Sequence, residues 1–153
     1  MWGRRREPRS LVVEALRVLR LAVFKARVGD RFVSNRVERQ RFFREVTVTT
    51  AFMGFPVPPE VMSKLYMRDA LGDVKKVLKL IEQLDKELRK RFPGLYEVAI
   101  RRSLVEAEEI LVGIVRRSTM PCPEEFIELA ARAEEALRSV EDAIRRYEAY
   151  RPR

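Results

Sequence analysis

The chain has no histidine and one cysteine, and each scarcity removes a class of function. Without histidine there is no Ser-His or Cys-His nucleophile pair, and the commonest side-chain metal ligand is missing. The single thiol, Cys122, cannot close an internal disulfide or build a thiolate metal site. The sequence also contains no Gly-rich phosphate loop and no nucleophile elbow. It therefore predicts a protein that is not an enzyme, with no catalytic residue, metal or cofactor.

Long apolar runs are also lacking, because Arg or Lys interrupts each of them before it reaches the length of a membrane span. The first residues are basic, but no continuous apolar segment follows them, so we expect no secretory signal. Strand-forming residues are sparse, whereas Leu, Ala, Glu, Arg and Val dominate. This composition predicts an all-α fold. The many ion-pairing residues and the few Asn and Gln are typical of a thermophilic source.

The positive charge of the chain is concentrated in one part of the sequence. Residues 1–44 contain 13 Lys or Arg and four acids, whereas residues 45–153 contain 19 of each. The net charge of +9 therefore belongs to the first 44 residues. A basic segment joined to a neutral one indicates an arm that binds a polyanion, and phosphate backbones are the commonest polyanions in a cell.

Two helices are predicted within the basic segment. The first covers about residues 11–27, with Ser10 as its N-cap, and we expect Gly29 to end it. Arginines and Phe24 recur on it at intervals of three or four, which places a basic stripe beside the apolar one. The second covers about residues 35–45, where two phenylalanines lie between the arginines. Together they form a basic helix-turn-helix-like arm.

A proline-rich stretch marks the predicted boundary between two domains. Residues 56–59 contain three prolines, which forbids a continuous helix there. After it, apolar residues follow a seam in steps of four and three, joined by short links, which predicts an antiparallel three-helix bundle. The expected domains are the arm, 1–54, and the body, 55–153, with helices at about 59–91, 95–117 and 123–150.

The number of Lys and Arg residues in the basic segment favours a protein that coats a nucleic acid over one that recognises its base sequence. A helix of about 17 residues spans about 25 Å and would face about fifteen phosphate charges of duplex DNA. An anionic membrane surface and an acidic protein are the other partners considered. Phosphate contacts position a protein without specifying a sequence. The predicted nucleic-acid-binding residues are Arg4, Arg5, Arg6, Arg9, Arg17, Arg20, Lys25, Arg27, Arg31, Arg36, Arg39, Arg41 and Arg44.

A basic helical arm, a proline break and a neutral helical body together resemble the all-α major capsid proteins of filamentous and rod-shaped archaeal viruses. The resemblance implies that the basic helices clamp linear double-stranded DNA in A-form, with their arginines on phosphates, while the bundle faces outward. It also implies homodimers, or heterodimers with a paralogous capsid chain, that repeat in a helical filament. The chain would then be part of a virion assembled in the host cytoplasm, and a membrane envelope around the particle is left open.

The alternative prediction is an RNA-binding helical subunit of a ribonucleoprotein. Ribosomal proteins and the small subunits of RNA-guided effectors are also small, basic and helical, and RNA orders the tails of ribosomal proteins. A helical nuclease toxin ranks last, because its fold needs a catalytic histidine and the chain has none.

Overall fold

The computed structural model describes residues 6–32 and 58–150, and every element in these two ranges is helical. The all-α prediction is confirmed for this part of the chain. These two ranges contain four helices: α1 is Pro8–Arg31, α2 is Pro59–Arg91, α3 consists of the contiguous segments Pro93–Leu95, Tyr96–Ile100 and Arg101–Val115, and α4 is Pro123–Tyr150.

Each of these four helices begins at a proline. The first N–H groups of a helix have no partner within it, and the fixed φ of proline already suits the first turn. The prolines therefore set the helix starts, and the predicted bounds of α2 and α4 are confirmed. Helix α1 starts before its predicted cap: Glu7 is the N-cap, and Ser10 lies inside the helix.

The four helices form a closed ring in which each helix packs on two others. α1 packs on α2 and α4, and α3 packs on the same two helices. Arg9 lies 3.5 Å from Glu148 and Arg20 lies 2.7 Å from Glu134, so residue numbers on α1 rise as those on α4 fall. α1 and α4 are therefore antiparallel.

The pairing of α1 with α2 is antiparallel as well. Arg91, at the end of α2, lies 3.1 Å from Glu7, while Lys25 lies 2.8 Å from Asp73. Residues 6 and 150 therefore lie towards one end of the bundle, and residues 32 and 58 towards the other.

Helix α1 is an integral part of this bundle, which differs from the predicted three-helix body with a separate arm. The apolar face of α1 must be buried, and helices α2 and α4 bury it from two sides. All four helices share one hydrophobic core. The second predicted arm helix and the predicted domain boundary lie in residues 33–57, outside the described residues. The core residues of α1 are Leu11, Val12, Ala15, Leu16, Val18, Leu19, Ala22 and Ala26.

Gly29 was expected to end α1, but it lies inside the helix and is buried. A Cβ atom on Gly29 would lie 3.3 Å from the backbone oxygen of Ser63 and 3.5 Å from Cβ of Tyr66. The residue therefore allows α1 and α2 to approach closely. Phe32, just beyond the helix, stacks on Tyr66 with ring centroids 6.0 Å apart.

A buried tyrosine joins the start of α3 to the end of α2. Tyr96 opens the π-helical segment Tyr96–Ile100, and its hydroxyl donates a hydrogen bond to Oδ1 of Asp85. The same hydroxyl accepts a hydrogen bond from Nη2 of Arg89 at 3.0 Å. Burial raises the pKa of Tyr96, and the bond to Asp85 adds to this. The buried hydroxyl is thus satisfied on both sides, which fixes the turn between α2 and α3.

Replacement of Gly29 by valine should lower the free energy of unfolding by about 1–3 kcal/mol, because the added carbons meet the backbone of Ser63. Gly72, in α2, provides the control, since nothing lies within 4 Å of its added Cβ. Gly72→Ala should stabilise the protein by about 0.5–1 kcal/mol through the helix propensity of alanine. Urea unfolding followed by circular dichroism measures both. A stable Gly29→Val variant would contradict the close contact.

Candidate nucleic-acid interface

The outward face of α1 is a row of exposed residues, which we call the α1 stripe. Its members recur at intervals of three or four on the side of the helix opposite the core. The structure thus exposes the basic stripe that the sequence spacing predicts. The α1 stripe consists of Val13, Arg17, Arg20, Leu21, Phe24, Arg27 and Arg31.

The acids in and next to α1 lie beside the stripe: Asp30 is partly buried and follows Arg27 by three residues. Glu14 is partly buried and forms ion pairs with Arg6 and with Arg17, the latter at 3.8 Å. Glu7 pairs with Arg91 of α2. An anion that approaches the α1 stripe therefore meets exposed arginines, with Glu14 and Asp30 at its edges.

The acids of α4 neutralise one edge of the α1 stripe. Oε1 of Glu134 accepts from Nε of Arg20 at 2.7 Å and from Nη2 of Arg138 at 3.1 Å. The side chains of Arg20 and Arg138 are mainly exposed. The Glu134 side chain is 19% exposed, and it keeps Arg138 as a partner when Arg20 turns towards another anion. A phosphate group can therefore replace Glu134 as the partner of Arg20 at little cost.

Arg27 and Arg31 continue the row towards the end of α1 that precedes residues 33–57. Both side chains are exposed. Arg27 has no ion pair with any residue in 6–32 or 58–150, which leaves its full hydrogen-bonding capacity for a partner. Five guanidinium N–H groups in a planar fork suit the oxygens of a phosphate.

Lys25 does not lie on the α1 stripe, although it was predicted to contact phosphate. Its Nζ lies 2.8 Å from Oδ2 of Asp73, whose side chain is 5% exposed, and its own side chain is 25% exposed. Lys76 approaches the other oxygen of Asp73 at 3.9 Å. The structure thus places Lys25 in the interface between α1 and α2, where it compensates a buried carboxylate.

Of the exposed apolar side chains on the α1 stripe, the sequence spacing places Phe24 there but misses Val13 and Leu21. Phe24 is 62% exposed, and Val13 and Leu21 are nearly half exposed. The sequence gives a signal for them, because they fall outside the apolar spacing that defines the core face. An aromatic ring between two arginines offers a surface on which a planar group can stack.

The predicted binding residues divide into described and undescribed groups. Arg6 and Arg9 lie at the start of α1, where they pair with Glu14 and Glu148. The described residues contain 24 Lys or Arg and 21 acids, so six of the nine net positive charges belong to segments outside them. The predicted roles of Arg4, Arg5, Arg36, Arg39, Arg41 and Arg44, which all lie outside the described residues, stay predictions.

Residues 6–32 and 58–150 offer no candidate site of the metal-binding or membrane-spanning kind. No cluster of three or more potential metal ligands occurs there, and no helix in these ranges has the length and apolarity to cross a bilayer. The surface depressions are open, as along α3 beside Glu97, Arg102 and Glu109. Comparisons with protein-family models, curated proteins and solved structures find no match for this chain. The α1 stripe is the strongest candidate for a functional surface among the described residues.

Replacement of Lys25 by methionine should destabilise the bundle by about 2–4 kcal/mol, because the buried carboxylate of Asp73 loses its closest cation. The exposed pair of Arg101 and Glu97 provides the control, and Arg101→Met should change stability by less than about 1 kcal/mol. Urea unfolding measures both variants, and adding Asp73→Asn to Lys25→Met should restore part of the loss. Equal effects of Lys25→Met and Arg101→Met would contradict the role of Lys25 in the interface.

Proposed function

We propose that the chain is a structural protein that coats double-stranded DNA without reading its sequence, as the major capsid protein of a helical filament. The observation that carries the proposal is the α1 stripe, a row of exposed arginines on a helix held in the bundle. The six net charges in the flanking segments add to it. The proposal differs from the sequence prediction in one respect, because α1 binds as a fixed surface of the bundle.

The geometry of the α1 stripe suits a linear polyanion. From Val13 to Arg31 the helix rises about 27 Å, and duplex DNA presents about sixteen phosphate charges over that length. The arginines are carried by a packed helix, so binding orders only their side chains and not the backbone. Contacts to phosphates fix position without sequence preference, which is what a coat needs. Assembly into homodimers, or heterodimers with a paralogous chain, within a virion belongs to the same proposal.

Reversal of charge on the α1 stripe should weaken binding to duplex DNA of any sequence. For the double variant Arg17→Glu and Arg27→Glu we expect an affinity about 10- to 100-fold lower near 0.1 M salt, because two phosphate contacts become repulsive. The slope of log K against log salt should become shallower by about 2. Fluorescence anisotropy with two unrelated linear duplexes at several salt concentrations gives both quantities.

A matched control separates a local contact from overall charge. Arg102 on α3 and Arg132 on α4 are exposed and lie away from the α1 stripe. The double variant Arg102→Glu and Arg132→Glu has the same net charge but should keep affinity within about threefold of the unchanged protein. Equal losses in the two variants would refute the α1 stripe as the contact surface. Electron micrographs of the protein with linear duplex should show filaments, and naked DNA would refute the coat.

A second candidate, an RNA-binding subunit of a ribonucleoprotein, is favoured by one observation. Phe24 is 62% exposed and lies between Arg20 and Arg27 on the same helix face. Single-stranded RNA is often bound through bases that stack on aromatic rings beside arginines. A coat that contacts only phosphates has no use for this ring, so Phe24 distinguishes the two candidates.

The variant Phe24→Ala should leave affinity for duplex DNA within about twofold, because a phosphate contact does not involve the ring. If the chain instead binds single-stranded RNA by stacking, the same change should cost about 1–3 kcal/mol, or about 5- to 150-fold in affinity. Leu21→Ala removes an apolar side chain from the same face and serves as the control. Anisotropy with matched duplex DNA and single-stranded RNA measures both, and a loss confined to RNA would reject the coat.

A further inference from the structure

A second row of cations runs along α2, in the part of the sequence whose charge sums to zero. Four exposed residues, Lys64, Arg68, Lys75 and Lys79, are spaced by four, seven and four positions, which keeps them on one side of the helix. We call them the α2 row. Its length is about 22 Å. None of the four forms an ion pair with a residue in the described ranges.

The acids between Lys64 and Lys79 lie off the α2 row, whereas Glu60 and Glu82 lie at its two ends. Asp73 lies against α1, where it pairs with Lys25. Asp69 precedes Asp73 by four residues and so occupies the same flank. Further along the helix, Glu82 already has Lys86 as a partner at 3.7 Å. The neutral sum for this part of the chain therefore hides a run of four exposed cations on one helix face.

The α2 row and the α1 stripe lie on opposite sides of the bundle. Lys79 borders the groove between α2 and α3, together with Glu108 of α3. Arg20 of the α1 stripe pairs with Glu134 of α4. Because α1 and α3 each pack on α2 and α4, the side formed by α2 and α3 faces away from the side formed by α1 and α4.

We propose that one chain binds two phosphate backbones at once, one through the α1 stripe and the other through the α2 row. The proposal rests on the proposed function, since it assumes that the α1 stripe binds a nucleic acid. The bundle is about 20 Å across, so a straight duplex that contacts one side does not reach the other. The second backbone must come from another duplex or from a distant segment of the same one. A coat built from such chains joins neighbouring DNA segments as well as covering them.

The test measures bridging separately from binding. Beads carry one duplex, a second duplex of unrelated sequence carries a fluorophore, and the full chain is added at low occupancy. The triple variant Lys64→Gln, Arg68→Gln and Lys75→Gln should lower capture of the labelled duplex by about 10-fold or more, since three of the four contacts on one side are lost. Its affinity for a single duplex should fall by no more than about threefold, because the α1 stripe is intact.

A control with the same loss of charge elsewhere shows whether position matters. Arg102, Arg132 and Arg146 are exposed on α3 and α4. Their triple replacement by glutamine should leave capture within about twofold, and circular dichroism should show that both triple variants keep the helical bundle. Equal losses of capture in the two variants would overturn the α2 row as a specific surface.

The remaining outcomes separate the two proposals. If the unchanged chain binds a single duplex but captures no second one, the bridging inference is wrong and the proposed coat stands. If capture is undiminished in the α2 variant, bridging occurs through contacts between copies of the chain, and the α2 row is again wrong. If the chain binds no duplex at any salt concentration, the proposed function fails, and the bridge fails with it.

Discussion

The packing of the apolar face of α1 between α2 and α4 is the interaction on which the rest of the structure depends. Each fully buried side chain, such as Leu11 or Leu19, stabilises the fold by about 1.5–3 kcal/mol. This burial fixes the rotation of α1 about its own axis. The arginines of the α1 stripe consequently face solvent in one line, and Lys25 is directed against α2. A flexible arm would have presented the same cations in no fixed order.

Among the described residues, the role of a charged side chain depends on the side of the bundle that it occupies and not on its position in the sequence. Glu134 and Glu148 of α4 face one edge of α1, and the arginines that pair with them there are more than half exposed and accessible to phosphate. The pair of Lys25 with Asp73 is different, because its carboxylate is buried and needs a permanent partner. Exposure therefore separates the arginines of the α1 stripe, which can bind a ligand, from Lys25, which stabilises the fold.

The sequence predicts those features that depend on neighbours along the chain. The bounds of α2 and α4 follow from prolines at the first turn and from an unbroken apolar seam, and the α1 stripe follows from spacing. The partner of an apolar face is not encoded locally, so α1 was expected in an arm. Gly29 shows the same limit, because glycine is common both at helix ends and where two helices approach closely. The α2 row was missed because summing the charge over a long segment hid its uneven distribution around one helix.

The contact between α1 and α4 has a consequence for how the chain reaches its fold. Arg9 and Glu148 are separated by 139 positions, so α4 leaves the ribosome long after α1. Until then the side of α1 that faces α4 has no cover, and an exposed apolar surface on a nascent chain invites aggregation. Contacts between distant positions also slow folding, because a long loop must close before they form. The completion of the bundle therefore waits for its last helix.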